Sequence, residues 1–354
     1  MKNSGEQASG ERRDRQLRRS RQARLWRVAL ALLLLCGARL LQAAPVCAAD
    51  ARAAAAVAHL RALLAQARFI TYEPTSLQVI EGRVQSADAS SIRADLEVLR
   101  RRFDALITYD AIHGAEQIAP IAAALHYRAL IIGVWNPLDE RERSQALATA
   151  ARYPRLVAGL SLGNEMIFTH RADAAALAAA LKALRAQRPQ LPLSISEPFH
   201  IFESAAGAAL LPQLDFLLVN VHPLFQPWFA TATDATAAQF VVNVADDLAQ
   251  RYCGPILIKE SGLPSGPPEH AGLSAARQAS FYKELRARLP PTSARAFAYF
   301  SAFDAPWRTQ DVTGVPGPHP EEAYWGLYDA ARRPKAAVEQ LAPLEQDRAG
   351  RNTN

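Results

Sequence analysis

The stretch Leu156-Val-Ala-Gly-Leu-Ser-Leu-Gly-Asn-Glu165 decides how the rest of the chain is read. It begins as an unbroken apolar and small-residue run, the pattern of a parallel strand buried on both faces, and ends abruptly in an amide and a carboxylate. An unpaired buried charge is costly, so Glu165 is either held by a partner or stands there to do chemistry. Pro255-Ile-Leu-Ile-Lys-Glu260 has the same form. The two glutamates lie 95 residues apart, and a barrel of about 250 residues gives each of its eight strand–helix units about 31, so the spacing corresponds to three units. Glu165 and Glu260 are therefore expected to face each other across one barrel mouth.

Working outward, strand-like runs fall at 68–73, 105–110, 129–135, 156–165, 192–197, 216–222, 255–260 and 295–303. Amphipathic helical stretches such as 91–103, 172–187 and 274–289 lie between them, as a parallel sheet requires. Eight strands close a (β/α)8 TIM barrel over 67–345. An alanine-rich lead-in helix covers 51–66 and a disordered tail is expected at 346–354. An open doubly wound sheet is disfavoured because no glycine-rich phosphate turn follows the first strand.

Of 354 residues, half are hydrophobic, enough for a large core. The formal charge of +6 resides entirely in residues 1–27, which carry nine Lys or Arg against three acids. The remainder is formally neutral, so a basic nucleic-acid footprint is absent and no nucleic-acid partner is expected. The basic leader runs into an apolar stretch at 28–38, too short for a comfortable membrane span and right for a signal-peptide core. Residues 1–48 thus read as an export leader, or as an uncleaved anchor and the protein's sole membrane contact. Export places the protein in the periplasm, outside the cell or at the inner membrane. If cleavage follows Ala48, Cys253 is left alone and no internal disulfide is expected.

Polar residues cluster at the carboxyl ends of the expected strands, the catalytic face of a barrel enzyme. Tyr72 and Glu73, Tyr109 and Asp110, Trp135 and Asn136 end the first three, and Glu197, Asn220, His222 and Asp304 end later ones. Trp135, Phe199, Phe225, Trp228, Trp307 and Trp325 crowd the same end. Apolar rings beside hydrogen-bonding groups suit a sugar, which has an apolar CH face and a polar rim. Two carboxylates across such a cleft are the minimum apparatus for cleaving a glycosidic bond, one protonated and one ionised. At a separation of about 5 Å the ionised acid attacks the anomeric carbon and configuration is retained; at about 8 Å a water fits and configuration inverts. The alternative is that each acid serves an ion pair, Glu165 with Arg171 or Glu260 with Lys259. Alternation along the strand is expected to turn Lys259 away from Glu260, into the helix layer or rim. His222 could bind sugar or Glu260 or be structural, and Asp110 and Asp304 could be subsite ligands or loop caps. The eight histidines show no ligand spacing, so neither metal nor cofactor is expected.

Six motifs in order, Gly163-Asn-Glu165, Ser196-Glu-Pro198, His222-Pro223, Glu260-Ser-Gly-Leu-Pro-Ser265, Phe303-Asp-Ala-Pro-Trp-Arg308 and Trp325-Gly-Leu-Tyr328, resemble those of glycoside hydrolase family 17. That family comprises β-1,3-glucanases and glucanosyltransferases. The resemblance implies a β-glucan substrate, Glu165 as general acid/base and Glu260 as nucleophile of a retaining mechanism. It also implies that Asn164 binds the sugar 2-hydroxyl or orients the nucleophile, and that Tyr72 and Tyr109 line the reactive subsite. Ser261, Leu263, Ala305 and Arg308 depart from the family's usual threonine, tryptophan, glutamate and lysine. These changes leave the acid pair intact and imply altered substrate contacts, with Leu263 removing an aromatic platform and Arg308 offering a planar fork. Trp135, His222, Phe225, Trp307 and Arg308 are the further expected sugar contacts. A glucanosyltransferase using the same residues, and a non-catalytic glucan-binding barrel, are the rival readings.

Overall fold

The computed structural model describes residues 51–344 apart from 271 and 311–317. Eight parallel strands close into a barrel: β1 (Phe69–Thr71), β2 (Ala105–Ile107), β3 (Ala129–Val134), β4 (Val157–Asn164), β5 (Leu193–Pro198), β6 (Leu217–Asn220), β7 (Ile256–Ser261) and β8 (Arg295–Tyr299). Each pairs with its sequence neighbour, and β8 returns to β1 with Tyr299 opposite Ile70. The chain is a (β/α)8 TIM barrel, and each expected strand is present, most of them shorter at the ends. The expected leader (1–48) and tail (346–354) lie outside the described residues.

Strands are apolar on both sides because each side has its own core. One set of alternate residues packs against helices that begin at well-formed caps. Asp88, Asp139 and Asp173 accept from the backbone of the helices Ala89–Leu99, Glu140–Arg152 and Ala174–Gln187; Thr233 and Ser274 do the same for Asp234–Arg251 and Ala275–Arg288. The other set fills the barrel.

The lead-in helix, Ala54–Gln66, has a specific task. Its Leu60, Leu63 and Leu64 are buried in one cluster with Ala105, Ile107, Ala129, Ile131, Leu218 and Leu257, the alternate residues of strands that face inward. Arg61 donates to the carbonyls of Cys253 and Ser293, just before β7 and β8. The helix therefore closes the amino-terminal end of the barrel, each buried leucine contributing roughly 2 kcal/mol. Groups at the opposite end stand on a dry floor. In the full chain Cys253 is disulfide-bonded, whereas the expectation of no internal disulfide applies to a chain cleaved after Ala48.

Candidate active site

At the carboxyl end of the strands lies a groove of about 740 Å³. Glu165 and Glu260 both line it, together with Asn164, Tyr109, Trp135, His222, Phe225, Trp307 and Arg308. Of the expected contacts Tyr72 alone is absent from that lining. Its hydroxyl donates to Asp95 on the helix Ala89–Leu99 at 2.8 Å, while Glu73 lines the groove, so alternation at the end of β1 puts Tyr72 on the helix side.

The two acids reach the groove through irregular strand ends. In β4 the pairing with β5 slips between Ser161 and Asn164, and Gly163 and Glu165 take left-handed φ values of 79° and 55°. Gly163 has no room for a side chain, since a Cβ there would stand 2.3 Å from Met166 Cγ. Left-handed backbone is costly for glutamate, and its presence at this residue is typical of a site over-determined by its surroundings. In β7 the slip lies against β6: Val219 pairs with Ile258, but Asn220 pairs with Glu260. Lys259 is the extra residue of a bulge.

That bulge overturns the expectation for Lys259. Bulging breaks alternation, so Lys259 faces the barrel interior beside Glu260, 1% exposed. Its Nζ donates to Glu260 Oε1 and Asn164 Oδ1, each at 2.6 Å, and to Ser196 Oγ at 3.1 Å. The Glu260–Lys259 ion pair thus exists and lies within the site. Glu260 Oε2 is 3.3 Å from His222 Nε2. Burial alone would raise the proton affinity of Glu260, but Lys259 and His222 outweigh it and hold the carboxyl well below its ordinary range.

Glu165 has a different setting. Burial, then the negative Glu260, raise its pKa, and the Asn220 amide donating to Oε1 at 2.8 Å only partly offsets them. One acid is thus disposed to keep its proton and the other to lose it, the division that glycosidic cleavage requires.

Around the pair, His222 packs edge-on against Phe225, Phe300 and Trp325 at 5.1–5.7 Å. Arg308 is ion-paired with Glu73 and lies 4.8 Å from the Phe300 ring. His222 Nδ1 and Arg308 Nη1 are buried with no hydrogen-bond partner among the described residues, which is what a site awaiting a hydroxyl-rich ligand presents. Trp135, Phe168 and Phe225 are 42%, 42% and 54% exposed along the groove. Two buried glutamates hold the loops that carry Trp135 and Phe168. Glu142 accepts from the backbone of Trp135 (2.6 Å) and Asn136 (2.8 Å), Glu197 from Ile167 (2.8 Å) and Phe168 (3.3 Å). Burial raises both carboxyls to about 7.

Other expectations resolve as loop anchors or core. Asp110 accepts from Ile112 N and meets His113, and Asp304 holds Lys335 and Gly326 N, so both are caps. Trp228 packs on Phe240, away from the groove lining, whereas Phe199 and Trp325 line it. Leu263 is fully buried core, so its replacement of an aromatic residue takes nothing from this groove. Ser196, Lys259 and Phe168 are among the site residues that the sequence reading does not name as such, whereas Asn220, placed on the catalytic face without a role, holds Glu165. Asn220 and Ser196 carry a visible signal, both being polar residues at strand ends.

A family model for the BtgE/BtgC glycoside hydrolase domain matches residues 70–326. The chain belongs to the BtgE/BtgC glycoside hydrolase family. A relative within reach of sequence comparison is the glucan 1,3-beta-glucosidase of Arthroderma benhamiae, 25% identical over 264 residues that cover 71% of this chain and 85% of the fungal protein. The probable beta-glucosidase btgE of Emericella nidulans is 29% identical over 181 residues, 49% of this chain and 31% of that longer protein. Among solved structures, the glycoside hydrolase family 17 β-1,3-glucanosyltransferase of Rhizomucor miehei shares the fold at 20% identity, over 77% of this chain and 96% of its own, with a TM-score of 0.60. An endo-laminarinase of Formosa Hel1_33_131 does so at 17% identity, over 80% and 87%, with a TM-score of 0.63. The glycoside hydrolase assignment agrees with the resemblance read from the strand-end motifs.

Proposed function

We propose that this protein is an exported, retaining hydrolase of β-1,3-linked glucan. Glu260 attacks the anomeric carbon as the glycosidic C–O bond breaks, and the departing oxygen takes the proton of Glu165. In the second step a water gives its proton to Glu165 and bonds to the same carbon, and Glu260 leaves as a carboxylate. The observation that carries this reading is the opposed electrostatic setting of two acids in one groove. A non-catalytic glucan-binding barrel would need neither setting. The linkage follows from the β-1,3-glucan names of the relatives and neighbours. Export follows from the basic leader and its apolar stretch at 28–38; among the described residues no helix is long and apolar enough to cross a membrane.

One observation favours transfer to a second sugar as an alternative outcome of the same intermediate. Phe168 and Trp135 offer exposed ring faces in the groove on the loops after β4 and β3, beside the acid/base, where an acceptor could stack. Laminari-oligosaccharides, followed by NMR at the anomeric proton and by product size, test both. A β product formed first supports retention, and an α product overturns it. Products longer than the donor identify transfer.

A further inference from the structure

Lys259, buried beneath the groove beside Glu260, has no role in the two steps above, and its position is expensive. A buried ammonium is tolerated only with close partners, and the same residue on an unbulged strand would have faced the helix layer. Here the bulge in β7 spends a register shift to bring two consecutive side chains inward. The ammonium then sits among Glu260 Oε1, Asn164 Oδ1 and Ser196 Oγ, 4.0 Å from the centre of the Tyr109 ring.

Two consequences follow from its chemistry. An ammonium donates and cannot accept, so the Asn164 amide must present its oxygen to Lys259. Ser196 Oγ, at 2.9 Å, contacts that oxygen too. The amide's N–H donors are thereby left for whatever enters the groove. Second, burial lowers the proton affinity of Lys259 while Glu260, Glu165 and Glu73 act to raise it, and the ammonium so held is closest to the one acid that must be ionised. The other groups facing Glu260 are Glu165 from β4, which opposes ionisation, His222 from the loop after β6, which assists it, and the un-ionised Tyr109 at the end of β2. Beyond Tyr109, Glu73 and Arg308 neutralise one another.

We propose that Lys259 is a positioning residue that keeps Glu260 an anion between turnovers and fixes Asn164 as a hydrogen-bond donor to the bound glucosyl unit. The inference rests on the retaining reading of the site. When Glu260 bonds to the anomeric carbon its charge disappears, and the ammonium favours its return as a carboxylate when water displaces it. Lys259 itself forms no bond to substrate, being enclosed by its three acceptors.

The test is kcat/KM against pH for the full chain and for Lys259→Met, on a laminari-oligosaccharide. The acidic limb, set by Glu260, should move upward by about one pH unit or more, a loss of about tenfold at the acid edge of the wild-type profile, with the alkaline limb of Glu165 moving less. An unmoved acidic limb in a folded, weakened variant overturns the inference. If Lys259→Met fails to fold, the wild-type profile still decides: an acidic limb below about 4 is expected, and one at or above the ordinary glutamate value of about 4.3 overturns it. Glu260→Ala, measured beside it, separates the two failures. Full activity there sinks the retaining reading, whereas an inactive Glu260→Ala with an unmoved limb in Lys259→Met sinks this inference alone.

Discussion

Glu165 and Glu260 are the same residue type at corresponding ends of two barrel strands, the first half-buried and the second buried, and both beside a register slip. They nonetheless differ in the direction of their proton affinity. Burial acts on both in the same sense, so burial is not what distinguishes them. The difference lies in what each carboxylate touches: an uncharged amide from Asn220 for one, an ammonium and an imidazole for the other. The division of labour in the site is therefore carried by residues that take no part in bond making.

The comparison is most severely broken by removing the ionised member. Glu260→Ala should lower kcat by about 10³-fold or more, because no covalent intermediate can form. Azide, small enough to occupy the vacated carboxylate space, should restore part of the rate on an activated donor and give the α-glucosyl azide. An active variant without that product would remove Glu260 from the nucleophile's role. Glu165→Gln comes next. It should cost about 10²–10⁴-fold on natural glucan, whose leaving oxygen needs the proton, and far less in the first step on an aryl glycoside with a good leaving group. Equal losses on both substrates would argue against Glu165 as the acid.

The smallest effect sharpens the comparison. In His222→Ala the 3.3 Å contact to Glu260 is lost while Lys259 remains. Glu260 must be ionised, so activity falls as pH drops through its depressed pKa. Glu165 must be protonated, so activity falls as pH rises through its raised one. Losing His222 should raise the acidic limb by less than about one pH unit, since a hydrogen-bonding imidazole is a weaker stabiliser than the ammonium. A larger shift there than in Lys259→Met would reverse the ranking of the two partners.

Much of this was legible before the structure. Each barrel strand is a short apolar run with a polar end, and that pattern survives the scatter of strand lengths because a parallel strand must be apolar on both sides. The acids stood out because carboxylates do not end such runs without cause. What could not be read was decided by register. Uniform alternation puts Lys259 on the wrong face, and the slip that turns it inward depends on how β7 meets β6. The expectation for Tyr72 fails for the same kind of reason, one residue out of phase at the end of β1. Glu142 was hidden differently, since within Glu140-Arg-Glu-Arg143 it looks like part of a solvated helix start, whereas its carboxylate is buried and holds Trp135.

The helix beneath the barrel sets a lower bound on how far the protein can be trimmed. A version beginning after residue 66 would lose Leu60, Leu63 and Leu64 and admit water to the base of the strands, while every reacting group at the opposite rim kept its immediate neighbours. Such a shortened enzyme would be damaged at the end where no sugar binds, and its failure would be one of endurance rather than of chemistry.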